Sequence, residues 1–442
     1  MDTIYALSSA AGRAGIAVIR LSGPGAMAAL RQVVMGALPA PREAALRRLR
    51  HPQTGVELDE GMVLLFPAPR SFTGEDVAEL HIHGGRAVVR SVLEALASCD
   101  GLRPAEAGEF TRRAFEHGKL DLTAAEGLAD LVNAETEAQR RQALRQLRGE
   151  LGDLYERWRT ALLRALAHME AHIDFPEEDL PPDLAEQTKS TIAALSAEIA
   201  AHLQDKHRGE RLRDGISVVI LGPPNVGKSS LLNALAGRPA AIVAAKAGTT
   251  RDVIEVQLDL AGYPVTVADT AGLRDSEDEI ESEGVRRAQA RAGEADIKIL
   301  MVDVADYQHV AAELSALADD DALFAINKCD LAAVPPQTRL CGRPAFAISA
   351  RTGAGLDSLL AALREAVVER AGLTEAPVLT RQRHRRALER CREALERALA
   401  APGLELLAED LRLAVRAIGR ITGRVDVEDL LDVIFREFCI GK

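Results

Sequence analysis

The chain has 442 residues, 47% apolar and only 3% aromatic, with a formal charge of -12. That length exceeds one ordinary domain of about 100–200 residues, so two to four domains are expected, with cores built from Leu, Ala, Val and Ile. The acidic balance excludes a wholesale phosphate binder and leaves room for local basic patches.

The five cysteines (Cys99, Cys329, Cys341, Cys391, Cys439) are scattered and form no C-x-x-C. Neither a disulfide framework nor a zinc site is expected, and a reducing cytosol fits this usage. The start Met1-Asp2-Thr3-Ile4-Tyr5 lacks the basic residues and long apolar core of a signal peptide. No run is long enough to span a bilayer, so a cytoplasmic location is expected.

Residues 1 to about 118 read as α+β. Ile16-Ala-Val-Ile-Arg-Leu21 and Met62-Val-Leu-Leu-Phe66 suit strands bounded by Gly or Pro. Val77-Ala-Glu-Leu-His-Ile-His83 alternates, placing Ala78, Leu80 and Ile82 toward a core and Glu79, His81 and His83 on the other face. Two histidines without an obvious third ligand read as a polar strand face rather than a metal site. After Gly84-Gly85, residues Val88, Val89, Val92, Leu93 and Leu96 continue at helical spacing.

From about 119 to 208 the pattern is helical. Leu128, Leu131, Leu144, Leu147, Leu151, Leu154, Trp158, Leu162, Leu166, Met169 and Ile173 keep a spacing of three to four, as one long helix would. Pro176 breaks it, and Pro181-Pro182 precedes a second helix carrying Leu195, Ile199 and Leu203. Past Pro377 helical stripes return: Leu388, Cys391, Leu395, Leu399; then Leu404, Leu407, Leu411, Val415, Ile418; then Leu430, Leu431, Ile434, Phe435, Phe438. Helices on both sides of a central domain suggest one bundle with that domain inserted, since domain termini often lie close together. Arg381-Gln-Arg-His-Arg-Arg386 is the most basic cluster, readable as a solvated helix face or as an RNA contact. No period signals an internal repeat.

The central domain carries the chemistry. Gly222-Pro-Pro-Asn-Val-Gly-Lys-Ser-Ser230 follows the apolar run Ile216-Ser-Val-Val-Ile-Leu221 and leads into Leu231, Leu232 and Leu235. This is G-x-x-x-x-G-K-[ST] in its strand-loop-helix setting. Asn225, Val226, Gly227, Lys228, Ser229 and Ser230 are expected at a nucleotide. Main-chain N–H groups cradle phosphate oxygens there, Lys228 meets the β/γ phosphates, and the Ser229 hydroxyl is placed for Mg²⁺. Asn327-Lys328-Cys329-Asp330 follows Leu323-Phe-Ala-Ile326, and N-K-x-D at a strand end reads guanine. The Asp330 carboxylate can accept from both the ring N–H and the exocyclic amino group, a donor pair adenine lacks. Ser349-Ala350 fits the contact to the guanine oxygen. Asp269-Thr270-Ala271-Gly272 follows another strand run and reads as the metal-facing, γ-phosphate-sensing segment. In Gly248-Thr-Thr-Arg-Asp252, Thr250 completes the Mg²⁺ shell. Together these make a GTPase. Leu273 stands where Ras-like switches place a water-orienting Gln, so that role falls to the acidic run Asp275-Ser-Glu-Asp-Glu-Ile-Glu281. The Asn225 amide oxygen could help hold a monovalent cation that neutralises charge between the β and γ phosphates, or Asn225 shapes the loop.

With the ends of the chain, these residues resemble the MnmE (TrmE) family of bacterial tRNA-modification GTPases, from Asp2-Thr-Ile onward. The marks are Gly12-Arg-Ala-Gly-Ile, Ser71-Phe-Thr-Gly-Glu-Asp76, Glu79-Leu-His-Ile-His-Gly-Gly85, Gly108-Glu-Phe-Thr111, Lys119-Leu-Asp-Leu122, Gly248-Thr-Thr-Arg-Asp252 and Cys439-Ile-Gly-Lys442. The resemblance implies a multidomain α/β and α protein. Residues 1–118 form an α+β folate-binding and dimerisation domain, 119–210 a first helical part, 211–375 an inserted Ras-like P-loop G domain with a mostly parallel sheet, and 376–442 a second helical part. It implies a homodimer, tRNA as substrate, and an FAD-dependent partner, MnmG. The pair installs an aminomethyl or carboxymethylaminomethyl group at C5 of the wobble uridine, using a tetrahydrofolate one-carbon donor (5-formyl or 5,10-methylene form). GTP hydrolysis would be promoted by K⁺ and by G-domain dimerisation. Carried over by position, folate contacts fall on Arg20, Glu79, Lys119 and Lys442. The catalytic glutamate falls on Glu281, K⁺ ligands on Asn225, Ala244, Lys246 and Thr249, and Mg²⁺ ligands on Ser229 and Thr250. Ala107 and Ala244-Ala245 depart from the family's usual Pro and Thr-Asp, and Ala244 offers only a backbone oxygen. Cys439 has no adjacent base in sequence and reads as a pocket residue. The alternative is a regulatory GTPase acting on RNA or ribosome assembly without modification chemistry.

Overall fold

A computed structural model describes residues 2–174, 184–205, 207–242, 255–269, 295–309, 317–318, 322–371, 378–425, 427–436 and 438–441. The chain divides into two compact units. One comprises Met1–Val132, Leu144–Ser196 and Arg390–Lys442; the other comprises Asn133–Ala143 and Ala197–Glu389.

The first unit holds a six-stranded sheet: β1 (Thr3–Leu7), β2 (Ile16–Ser22), β3 (Ala45–Arg50), β4 (Glu57–Phe66), β5 (Val77–His83) and β6 (Leu102–Pro104), in the order β3-β4-β5-β2-β1-β6. Only the β1–β6 pair is parallel. The alternation in β5 holds: Leu80 and Ile82 are buried, whereas Glu79 and His81 are half-buried and His83 is exposed. Ile19, Leu21, Leu80 and Ile82 meet Leu30 and Val33 of the helix Ala26–Val33, and Val92 and Leu96 of the helix Arg86–Ala97. Burial of one sheet face specifies register, because a one-residue slip would turn Leu80 outward and Glu79 inward.

The helical stretch after residue 121, whose segment Asn133–Ala143 belongs to the second unit, departs from the expectation of a single long helix. Residues 122–174 form three: Leu122–Asn133, Glu137–Leu147 and Glu150–Asp174. Two local signals explain the breaks. Thr136 and Gln139 form a reciprocal capping box, in which Gln139 Oε1 accepts from the Thr136 N–H at 3.1 Å and the Gln139 N–H reaches Thr136 Oγ1 at 3.4 Å. Gly149 adopts φ +94°, which ends the second helix. The helix Glu150–Asp174 buries Leu151, Tyr155, Trp158, Leu162, Leu166 and Met169. It packs along the helix Leu404–Thr422, which buries Leu407, Leu411, Val415 and Ile418. The helix Glu428–Arg436 sets Leu431, Ile434 and Phe435 against Leu122 and Ala125.

The second unit holds a seven-stranded sheet: β7 (Ile216–Leu221), β8 (Glu255–Leu260), β9 (Tyr263–Asp269), β10 (Ile297–Asp303), β11 (Leu323–Asn327), β12 (Arg339–Leu340) and β13 (Arg343–Ala347), in the order β12-β13-β11-β10-β7-β9-β8. The five inner strands are parallel, and β8 and β12 are antiparallel edges. Both faces are buried, as a parallel sheet requires. Ile216, Val218, Ile220, Ile299 and Met301 face one core, with Leu231 and Leu359; Val219, Leu221, Leu300, Val302 and Phe324 face the other. Chain order reverses on either side of β7, so a crevice opens at the carboxyl ends of β7, β9, β10 and β11. Among the described residues no helix is long and apolar enough to cross a membrane.

Candidate functional site

Every described nucleotide motif lies at that crevice. The loop after β7 is forced by close approach. A Cβ at Gly222 would sit 2.3 Å from the Met301 carbonyl oxygen, and one at Gly227 (φ +103°) 2.4 Å from Asn327 Nδ2. Asn225 takes φ +61° and is exposed. Gly227 caps the helix Lys228–Ala236, whose N-terminus supplies N–H groups and positive potential to an anion. Lys228 is almost fully buried, and its Nζ donates to the Gly222 and Pro223 carbonyls at 2.9 Å each. The lysine therefore lies across the loop. Ser229 Oγ donates to Asp269 Oδ2 at 2.5 Å. A hydroxyl and a carboxylate this close form a pair of hard oxygen donors, which suits Mg²⁺. Ser230 is exposed on the next helical position, and Val226 is buried.

Asn327 joins the pieces. It is 3% exposed; its Nδ2 donates to the Val226 carbonyl at 2.8 Å, and its Oδ1 accepts from the Ala350 N–H at 3.0 Å. The glycine-containing loop after β7 and the loop of Ser349 and Ala350 are thus held together through one amide. Asp330 accepts from Ser349 Oγ and Arg351 Nη2, each at 2.5 Å, and these two contacts hold its carboxyl below the usual carboxylate range. Lys328, at φ +64°, pairs with Asp303 at 2.6 Å. Burial raises the Asp303 carboxyl, but the Ala305 N–H and Lys328 outweigh it, so the carboxyl stays low. The sequence reading missed Asp303; its one signal is an acidic residue closing a strand that is apolar apart from Lys298. Ala244, Lys246, Thr249, Thr250, Thr270, Ala271, Gly272 and Glu281 lie outside the described residues.

In the first unit, sheet register pairs Arg20 of β2 with Glu79 of β5. Arg20 Nε and Nη2 donate to Glu79 Oε1 at 3.0 and 2.8 Å, and His81 Nε2 lies 3.1 Å from Oε2. Burial opposes ionisation of Glu79, yet His81 and Arg20 hold its carboxyl low. The Arg20 guanidinium sits 5.5 Å from the Phe72 ring centroid and 5.9 Å from that of Phe110. A fixed carboxylate beside aromatic faces fits a flat heterocycle with an N–H edge, as a pterin has. Lys119 Nζ donates to the Pro69 carbonyl at 2.5 Å. Lys442 lies outside the described residues, but the residue before it is anchored. The Gly441 carbonyl accepts from Ser8 Oγ at 2.9 Å, and a Cβ there would meet the Leu7 oxygen at 2.3 Å. Ala6 of the same strand is the β-partner of Arg20.

A buried network underlies this site, and sequence reasoning assigned it no role. Ser22 Oγ shares a 2.7 Å hydrogen bond with Thr73 and donates to Glu75 at 2.7 Å, while Arg113 Nη1 donates to Glu75 Oε2 at 3.1 Å. It fixes the loop that carries Phe72. His83 pairs with Asp59 at 2.8 Å, and no cluster of three metal-ligating side chains occurs among the described residues. Burial pushes the Cys391 thiol up to about 12, so it is an inert core residue.

Residues 3–119 match the family model described as the GTP-binding protein TrmE N-terminus, and residues 122–439 match that of the MnmE helical domain. The chain is 61% identical to the tRNA modification GTPase MnmE of Parvibaculum lavamentivorans and 59% identical to that of Paramagnetospirillum magneticum, with 100% of each chain covered. It is 50% identical to the human mitochondrial 5-taurinomethyluridine-[tRNA] synthase subunit GTPB3, covering 100% of this chain and 93% of that one. Matches of this extent do not favour the ribosome-assembly alternative. With identity of this order over its full length, the chain belongs to the MnmE (TrmE) family of tRNA modification GTPases.

Proposed function

We propose that this chain couples GTP hydrolysis to one-carbon transfer onto the wobble uridine of certain tRNAs, acting with an FAD-dependent partner of the MnmG type. The carrying observation is the Asn327 side chain, which locks the phosphate loop to the base-reading loop beside Asp330. In this reading Lys228 and the N–H groups after Gly227 hold the phosphates. Ser229 and Thr250 would ligate Mg²⁺, which neutralises phosphate charge. Asn225, Thr249 and the carbonyls of Ala244 and Lys246 would hold K⁺, which would neutralise charge developing on the phosphates. Glu281 orients the attacking water, the role Leu273 cannot fill. The segment Asp269–Gly272 senses the γ-phosphate, and Ser349 and Ala350 border the base.

Residues 1–118 form the folate-binding domain and the homodimer contact in this reading. Glu79 receives the donor edge of the pterin; Arg20, Lys119 and Lys442 receive the anionic part. The bound tetrahydrofolate derivative supplies the one-carbon unit. The helical parts, 119–210 and 376–442, carry movement between G domain 211–375 and this site. The test is mass spectrometry of tRNA nucleosides from cells lacking the gene. Loss of the C5 modification is expected; unchanged wobble uridine would defeat the proposal. GTP turnover with and without K⁺, in the presence of the flavoprotein, tests the hydrolytic half.

A further inference from the structure

The base-reading carboxylate is already occupied. Asp330 Oδ1 takes the Ser349 hydroxyl and Oδ2 takes the Arg351 guanidinium. The two contacts differ in kind. Ser349 is fully buried and its Oγ also accepts from the Thr352 N–H at 3.2 Å, so it is part of the loop's frame. The Arg351 side chain is 76% exposed, and among the described residues Asp330 is its only polar partner. It reaches in from solvent and can leave again at the cost of one ion pair.

We propose that Arg351 is a gate on guanine entry, occupying Asp330 Oδ2 until the base's two N–H donors displace it. The inference rests on the reading of Asp330 as the guanine-recognising residue. A neutral base replaces a cation here, so each arrival must break the pair first. The cost is modest because an exposed pair is worth only a few-fold in an equilibrium. It is also screened by salt, whose Debye length falls to about 3 Å at 1 M. The gate therefore slows association and leaves dissociation untouched, so affinity falls by the same factor as the association rate, and it opens as ionic strength rises. Attraction of the phosphates by Arg351 would give the opposite sign, with faster association in wild type and a loss of that advantage in salt.

Stopped-flow association of a fluorescent GDP with the full chain separates these outcomes. Arg351→Ala and Arg351→Gln are expected to bind ~2- to 5-fold faster than wild type at low salt, with the ratio falling toward one at high salt. Circular dichroism checks that the variants fold. Equal rates at low salt, or slower rates in the variants, overturn the gate. Asp330→Asn is the control. If it moves preference from guanine to xanthine while Arg351→Ala has no effect, only the gate fails. If it leaves GDP affinity unchanged, the base-reading assignment fails, and the gate with it.

Discussion

The two candidate sites are built in opposite ways. The candidate nucleotide site is assembled from short contiguous motifs, those described lying at the ends of parallel strands. Gly222 and Gly227 hold their shape because a Cβ at either would strike Met301 or Asn327. The proposed pterin site is assembled from side chains on separate segments. Arg20 and Glu79 are 59 residues apart and meet only because β2 and β5 pair in one register. Phe72, Phe110 and the Gly441 tail come from three further places. A site of the first kind depends on distant parts of the fold at a few points, such as Asn327, whereas a site of the second kind depends throughout on sheet register and tail docking.

Substitutions can break this contrast. The largest effect is expected at the base reader: Asp330→Asn should lower GTP affinity on the order of 10²–10³-fold and raise xanthosine triphosphate affinity, read by calorimetry with both nucleotides. Next, Glu281→Ala should cut GTP turnover about 10²-fold while leaving affinity nearly intact. Wild-type turnover would remove Glu281 from the mechanism.

Gly441→Ala probes the other site. Its φ of +98° and the Leu7 oxygen leave no room for a methyl group. We expect 5-formyltetrahydrofolate affinity to fall by about tenfold, the effect of ~1.4 kcal/mol of displaced tail, with GTP binding unaltered. A parallel loss of GTP affinity would contradict the separation of the two sites. The smallest effect expected is of Na⁺ in place of K⁺, a several-fold slowing of hydrolysis. Equal rates would mean that Ala244 and its neighbours hold no selective cation.

The pH response sharpens the contrast further. Glu79 is held below the ordinary carboxylate value of 4.5 in the folded protein. A depressed carboxyl contributes stability that is fully present above its unfolded value and is lost as pH falls through the folded one. Pterin binding and the stability of the first unit should therefore decline together only below pH 4.5, as titration with thermal melts would register. Arg20→Ala should move that decline to higher pH, since it removes the guanidinium that holds Glu79 charged.

Reading the residues alone was enough to reach the family, the multidomain fold class and a GTPase. The motifs behind that reading carry their own geometry: a glycine, a strand end and a helix start act within a few residues of each other. The strands Ile16–Ser22 and Val77–His83 and the buried stripes of the long helices were legible for the same reason, since their periodicity is local. The helix breaks before Glu137 and Glu150 were also local, in Thr136, Gln139 and Gly149, but apolar spacing that runs through them hid the caps. The partnership of Arg20 with Glu79, the Asn327 bridge, the Asp303–Lys328 pair and the cover that Arg351 places on Asp330 became visible only in three dimensions. Each depends on which strands lie side by side and in what register, and that is settled by burial of a whole sheet face rather than by any one segment.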